Sequence, residues 1–161
     1  MSQEQPRRPQ PEDEERVVLQ PERLAPPSSY RGTYGSITIG EALEATALTS
    51  GRKPVDYSDA AAIQAAEVRA TGRANIVPGG VAAAAQSAAI RNARVHDEEK
   101  TRLGEVLCDA TAKLPADKPA TRRDAEGVIG AELRNNRDLA TRPGGVSACV
   151  AAAARLNQKR D

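Results

Sequence analysis

Two cysteines, Cys108 and Cys149, one histidine, His96, and two glutamates, Glu67 and Glu132, are the residues whose types could do chemistry in this sequence. A Cys–His nucleophile needs an imidazole within hydrogen-bonding reach of the thiol. His96 lies in a charged stretch, ARVHDEEK at 93–100, next to neither cysteine. Both thiols fall on apolar helix stripes, where a thiol acts as a small, half-buried hydrophobe. They stand 41 residues apart with no CxxC pattern, so a structural zinc site fails on ligand count. His96-Asp97-Glu98-Glu99 has metal-ligating types, but consecutive residues do not converge on one ion without a folded frame. A solvated connector is the simpler reading.

Glu67 and Glu132 are followed two residues later by Arg69 and Arg134. Paired carboxylates can move protons, yet each of these is one copy of a repeat, and salt-linking or helix solvation accounts for them. Two PGG loops, Pro78–Gly80 and Pro143–Gly145, precede helix candidates and could offer amides to an anion. Valines follow them, where a phosphate-binding loop needs lysine, so both read as helix breaks. The sequence therefore assigns no catalytic residue, no cofactor-binding residue and no metal ligand, and no enzyme activity or cofactor is expected.

The elements around these residues are built from alanine. Of 161 residues, 30 are Ala, while Val, Ile and Leu together number 27, with three Tyr, no Phe and no Trp. Leu, Ile, Val and Phe thus fall below the fifth of the chain typical of globular proteins. The formal charge is only +1, so only half of the compositional signature of disorder is met. Alanine favours helix because it loses no side-chain entropy there. Each buried Val, Ile or Leu contributes roughly 1.5–3 kcal/mol, against about 1.5 kcal/mol for ordering each residue. The expectation is an all-α chain, folded only conditionally. Balanced charge and scarce aromatics argue against nucleic-acid binding. The opening MSQEQPRRPQPEDEER is polar and no 18-residue apolar run exists, so an intracellular chain without signal peptide or membrane span is expected.

Internal repetition organises the rest. Gly40-Glu41 recurs at Gly104-Glu105. After one inserted residue the spacing becomes 65 and holds without a gap from Pro54/Pro119 to Asn92/Asn157. Residues 1–36 read as a disordered Pro-rich tail, 37–92 as the first repeat, 93–100 as a charged connector and 101–157 as the second repeat. Each repeat suggests three short Ala-rich helices. The first runs from Thr38 to about Thr49, with Ile39, Leu43 and Ala47 on one side, and its counterpart carries Leu103, Val106, Leu107 and Ala110. The second starts at Ser58-Asp59, or at Asp124, residues suited to N-caps. The third follows the PGG break and begins at Val81 or Val146.

The strings ITIGEALEATA, KPVDYSDAAAIQAAEVRATG, VPGGVAAAAQSAA, KLPADKPATRRDAEGVIGAELRNN and RPGGVSACVAAAARLN resemble the seed maturation protein family, a class of plant late embryogenesis abundant proteins, as does the start MSQEQPRRPQ. Members commonly carry a further degenerate repeat near the N-terminus, which residues 11–36 do not resemble. The resemblance implies accumulation in maturing seeds, a part in desiccation tolerance, and residence in cytoplasm and nucleus. The expected function is a non-enzymatic protectant that gains helix on dehydration. It would then make transient contacts with client proteins or membranes, and none with nucleic acid or a small-molecule substrate. The alternative is a folded all-α repeat module that serves as a binding or oligomerisation surface. A third reading, an enzyme using the carboxylates, has no constellation behind it.

Overall fold

The computed structural model describes residues 35–136, 138 and 140–160. The Pro-rich tail expected at 1–36 therefore lies, up to residue 34, outside the described residues. Seven helices make up the described part: α1 (Ile39–Thr49), α2 (Tyr57–Thr71), α3 (Val81–Asn92), α4 (Leu103–Leu107), α5 (Ala110–Lys113), α6 (Arg122–Arg134) and α7 (Val146–Arg160). The all-α tandem repeat is as the sequence suggests.

Local chemistry explains where the helices start. Thr38 caps α1, its hydroxyl accepting from the Glu41 amide while Glu41 accepts from the Thr38 amide. The second helix of each repeat starts earlier than expected. Asp56 and Thr121 are the caps, and Asp59 and Asp124 stand three residues on, closing the reciprocal half of each box. Two residues suited to capping stand three apart, Asp56 with Asp59 and Thr121 with Asp124, and the first takes the position. Within the PGG breaks, Gly79 and Gly144 hold φ of 75° and 73°, a conformation that glycine adopts without a Cβ penalty. The opening helix of the second repeat differs from expectation. It splits into α4 and α5 around Cys108-Asp109, in the segment that carries the inserted residue.

The core is thin. Ile39, Leu43, Ile63, Leu103, Leu107, Val81, Val128, Val146 and Val150 are fully buried, and alanines fill the rest, among them Ala62, Ala66, Ala85 and Ala110. Small side chains let helices approach closely: α2 packs on α6, α2 on α3 and α6 on α7. Of the apolar stripe expected on α6, Val128 and Leu133 with Ile129 beside them, Val128 is fully buried, whereas Leu133 and Ile129 are only half-buried.

The repeats are interlocked rather than stacked. α1 of the first repeat packs on α7 of the second, and α4 of the second packs on α3 of the first. Two antiparallel bridges fix this exchange, Thr38 opposite Pro119 and Arg102 opposite Pro54. At the first, Ile39 N donates to Lys118 O at 2.9 Å and Ala120 N to Ile37 O at 3.0 Å. At the second, Leu103 N donates to Lys53 O at 2.9 Å and Val55 N to Thr101 O at 3.1 Å. Each bridge is the image of the other under the repeat.

Candidate functional site

Three pairs of buried polar residues occupy matched positions in the repeats: Asn92 and Asn157, Glu67 and Glu132, and Asp59 and Asp124. Asn92, at the end of α3, donates through Nδ2 to Val55 O at 2.9 Å and Thr101 O at 2.8 Å, while its Oδ1 accepts from Thr101 N at 2.8 Å. Asn157 on α7 repeats the arrangement at the other bridge. Its Nδ2 donates to Ile37 O at 2.8 Å and Ala120 O at 2.9 Å, and Ile37 N donates to its Oδ1 at 2.7 Å. A primary amide suits this place because it offers two donors and an acceptor to a backbone pair that water no longer reaches. Nothing local in the sequence singles out these two residues; only their recurrence at the spacing of 65 could have done so.

Glu67 and Glu132, the carboxylates of the sequence reading, are almost wholly buried, at 1% and 2% exposure. They are not joined to Arg69 and Arg134. Instead Glu67 accepts from Val77 N at 3.0 Å and Ala82 N at 3.2 Å, and Glu132 from Arg142 N at 3.0 Å and Ser147 N at 3.3 Å. Each carboxylate ties the two sides of a PGG loop and caps the helix that follows. A helix N-terminus favours an anion, and here the chain's own glutamate takes that place. One first-turn amide of each helix, Ala82 N or Ser147 N, is thereby occupied from within the chain.

The second helix of each repeat begins at an ion pair between a buried aspartate and a partly exposed lysine. The Lys53 ammonium donates to the Asp59 carboxylate, and Lys118 to that of Asp124. The matched aspartates respond oppositely. Burial pushes the Asp59 carboxyl up and outweighs the hydrogen bond and charge of Lys53. Burial also opposes the charged form of Asp124, but the hydrogen bonds from Lys118 and Thr121 outweigh it and hold this carboxyl below its ordinary value. Asp56 behaves like Asp124. Against burial, the hydrogen bonds of the Ser58 hydroxyl, the Asp59 amide and Lys53 hold it well below the usual carboxylate range. Arg142 adds a 3.3 Å ion pair to Asp56 across the repeats.

The remaining reactive types do not come together. Cys108 is exposed at the end of α4, contrary to its expected half-buried place on an apolar stripe, because the helix stops there. Cys149 is half-buried, its Sγ 3.5 Å from Thr49 Oγ1. His96 is exposed and leads a 3-10 turn, Asp97–Glu99. Among the described residues no group of three or more His, Cys, Asp or Glu is placed to hold a metal ion. No described helix is long and apolar enough to cross a membrane. An open depression of about 600 Å³ lies at the end of α1. Its hydroxyls, from Thr49 and Ser50, are already spent on Gly144 O at 2.6 and 2.7 Å.

Comparison with known proteins points the same way as this repeat geometry. A family model described as seed maturation protein matches residues 37–95 and again residues 101–160. Late embryogenesis abundant protein 47 of Arabidopsis thaliana is 63% identical over 150 residues, covering 92% of this chain and 77% of that protein. Late embryogenesis abundant protein D-34 of Gossypium hirsutum is 70% identical over 124 residues, covering 76% of this chain and 47% of its own. Late embryogenesis abundant protein 31 of Arabidopsis thaliana is 65% identical over 127 residues, 78% of this chain and 48% of that one. The chain thus spans about half the length of the last two. No solved structure matches. With two matched copies of the repeat and relatives of this similarity, the chain belongs to the seed maturation protein family of late embryogenesis abundant proteins.

Proposed function

We propose that this chain is a non-enzymatic protectant that folds as water is withdrawn and shields other macromolecules in the dehydrated state. The observation that carries the reading is the nature of what is buried. Among the described residues the apolar core consists of alanine and mid-sized aliphatic residues without a buried aromatic, while Glu67, Glu132, Asn92, Asn157, Asp59 and Asp124 are buried to satisfy backbone or lysine groups. Thin apolar burial gives little drive to fold in dilute water, where ordering entropy opposes it. Internal partners for amides and carbonyls gain value as solvent partners disappear. The same sequence is then coil-like when wet and helical when dry. Its charged faces keep client proteins or membranes apart by transient contact, in cytoplasm and nucleus. Membership of the family supports this reading. The test is to dry a desiccation-sensitive enzyme with the chain or with an equal mass of an unrelated inert protein. Recovered activity should be several-fold higher with the chain; equal recovery sinks specific shielding.

A second reading, a stably folded binding module, is favoured by one observation. The reciprocal bridges at Thr38–Pro119 and Pro54–Arg102 give the repeats a mutual interface that pure disorder would not need. Cooperative thermal unfolding in dilute buffer would support it, and a featureless melt would count against it.

A further inference from the structure

The interface between the repeats is reciprocal. α1 and residues 37–39 of the first repeat dock on α7 and residues 118–120 of the second, and α4 and residues 101–103 of the second dock on α3 and residues 53–55 of the first. Such an interface is self-complementary in the same sense as a two-fold dimer interface. Only the connector, residues 93–100, makes the two partners belong to one chain. Most of it is exposed, with Val95 half-buried and Arg94, His96, Asp97, Glu98 and Glu99 at the surface. It is held lightly, by Arg102 Nη2 to Asp97 O at 2.8 Å and Arg91 Nη2 to Glu99 O at 3.3 Å.

We propose that a second copy of this chain is a partner, joined by exchange of repeats, so that the first repeat of each copy pairs with the second repeat of the other. Every contact between the repeats is re-formed in the exchanged dimer, both bridges, both asparagine clamps and the packing of α1 on α7, and only the turn of the connector opens. The connector has eight residues, which span roughly 30 Å when extended, enough to pass between two lobes that face each other across it. What separates closed monomer from exchanged dimer is therefore concentration. A short flexible link gives its partner an effective concentration on the order of millimolar. Below that the chain closes on itself, and above it the copies exchange. Dehydration raises chain concentration through that threshold. The inference goes beyond the protectant reading and needs no client.

The experiment uses the full chain with Thr38→Cys and Pro119→Cys, in a background carrying Cys108→Ser and Cys149→Ala. Light and isotopically heavy pools are mixed under reducing conditions in trimethylamine N-oxide, which favours the compact state. They are then oxidised at about 0.01 mM, or after concentration to about 10 mM, either side of the effective concentration of the connector. The expected result is monomer with the engineered pair linked inside one chain in the dilute sample. In the concentrated sample more than half the chains should form covalent dimers, with light–heavy cross-linked peptides on mass spectrometry. Monomers at both concentrations would overturn the proposal. So would dimers whose engineered pair is linked within one chain. Because Thr38 caps α1, the image pair Pro54→Cys with Arg102→Cys serves as the second variant, with the same expectations.

Discussion

Asn92 and Asn157 are images of one another. Each closes three hydrogen bonds onto the backbone of an antiparallel bridge, and each joins a segment of the first repeat to one of the second. Replacing Asn92 with Ala leaves Val55 O and Thr101 N without protein partners, while Thr101 O keeps the Val55 amide. A buried group left unsatisfied costs about 1–3 kcal/mol. Because the folded state is gained rather than given, the readout is the trimethylamine N-oxide concentration at which helicity reaches half its maximum. Asn92→Ala and Asn157→Ala should each raise that midpoint clearly, by similar amounts. An Asp at either position keeps the acceptor but loses both donors, and should be no better than Ala. Two unshifted midpoints would show that the bridges do not hold the repeats together.

Glu67→Gln and Glu132→Gln test the loop clamps. The carboxylate accepts two amide donors, whereas an amide side chain turns one of its own donors toward a donor. Hydrogen bonds to charged groups contribute about 1.5–3 kcal/mol, and each variant should shift the midpoint accordingly. If either residue were instead a catalytic base, the folding midpoint would stay where it is.

How much of this was legible in the sequence differs from element to element. The helices were, since alanine-rich stretches with Ile39, Leu43, Ile63 or Val81 at helical spacing have few other options, and the PGG breaks were marked by residue type. The caps of α2 and α6 were misplaced because Asp56 with Asp59, and Thr121 with Asp124, offer two capping residues three apart. The break in α4–α5 was not foreseen, although the inserted residue that accompanies it was. Pairing between repeats leaves no local trace. Asn92 and Asn157 read as ordinary polar residues near helix ends, and the hydrogen bonds that define them join positions up to 120 residues apart.

Close backbone approach makes another prediction. Gly104 N donates to Gly51 O at 2.9 Å. A Cβ on Gly51 would collide with the Ala47 carbonyl, and one on Gly104 would lie 3.1 Å from Gly51 O. Gly51→Ala should therefore destabilise by about 1–3 kcal/mol, in the range of an overpacked core, although alanine is intrinsically the better helix former. Gly104→Ala should cost less. An osmolyte midpoint for Gly51→Ala at or below that of the parent chain would contradict the close approach of Gly51 to the Ala47 carbonyl.

The aspartates set an acid response. Asp124 and Asp56 have folded pKa values below their unfolded ones. Their stabilisation is present above the unfolded value, near 4, and is lost as pH falls through the folded values. Asp59 is raised, so its ionisation opposes folding, and its contribution is lost as pH rises through the folded value. At fixed osmolyte, helicity should fall below about pH 4. Asp124→Asn should flatten that fall, and Asp59→Asn should steepen it. Identical pH profiles for the two variants would contradict the opposite shifts.

The central claim is that withdrawal of water, rather than sequence alone, makes this fold dominant. Far-UV circular dichroism of the purified chain in dilute buffer, and again as a dried film, addresses it most directly. A coil-like spectrum in buffer that becomes strongly helical in the film is the predicted result. Strong helicity already present in dilute buffer, and lost cooperatively on heating, would contradict it and assign the chain to stably folded binding modules.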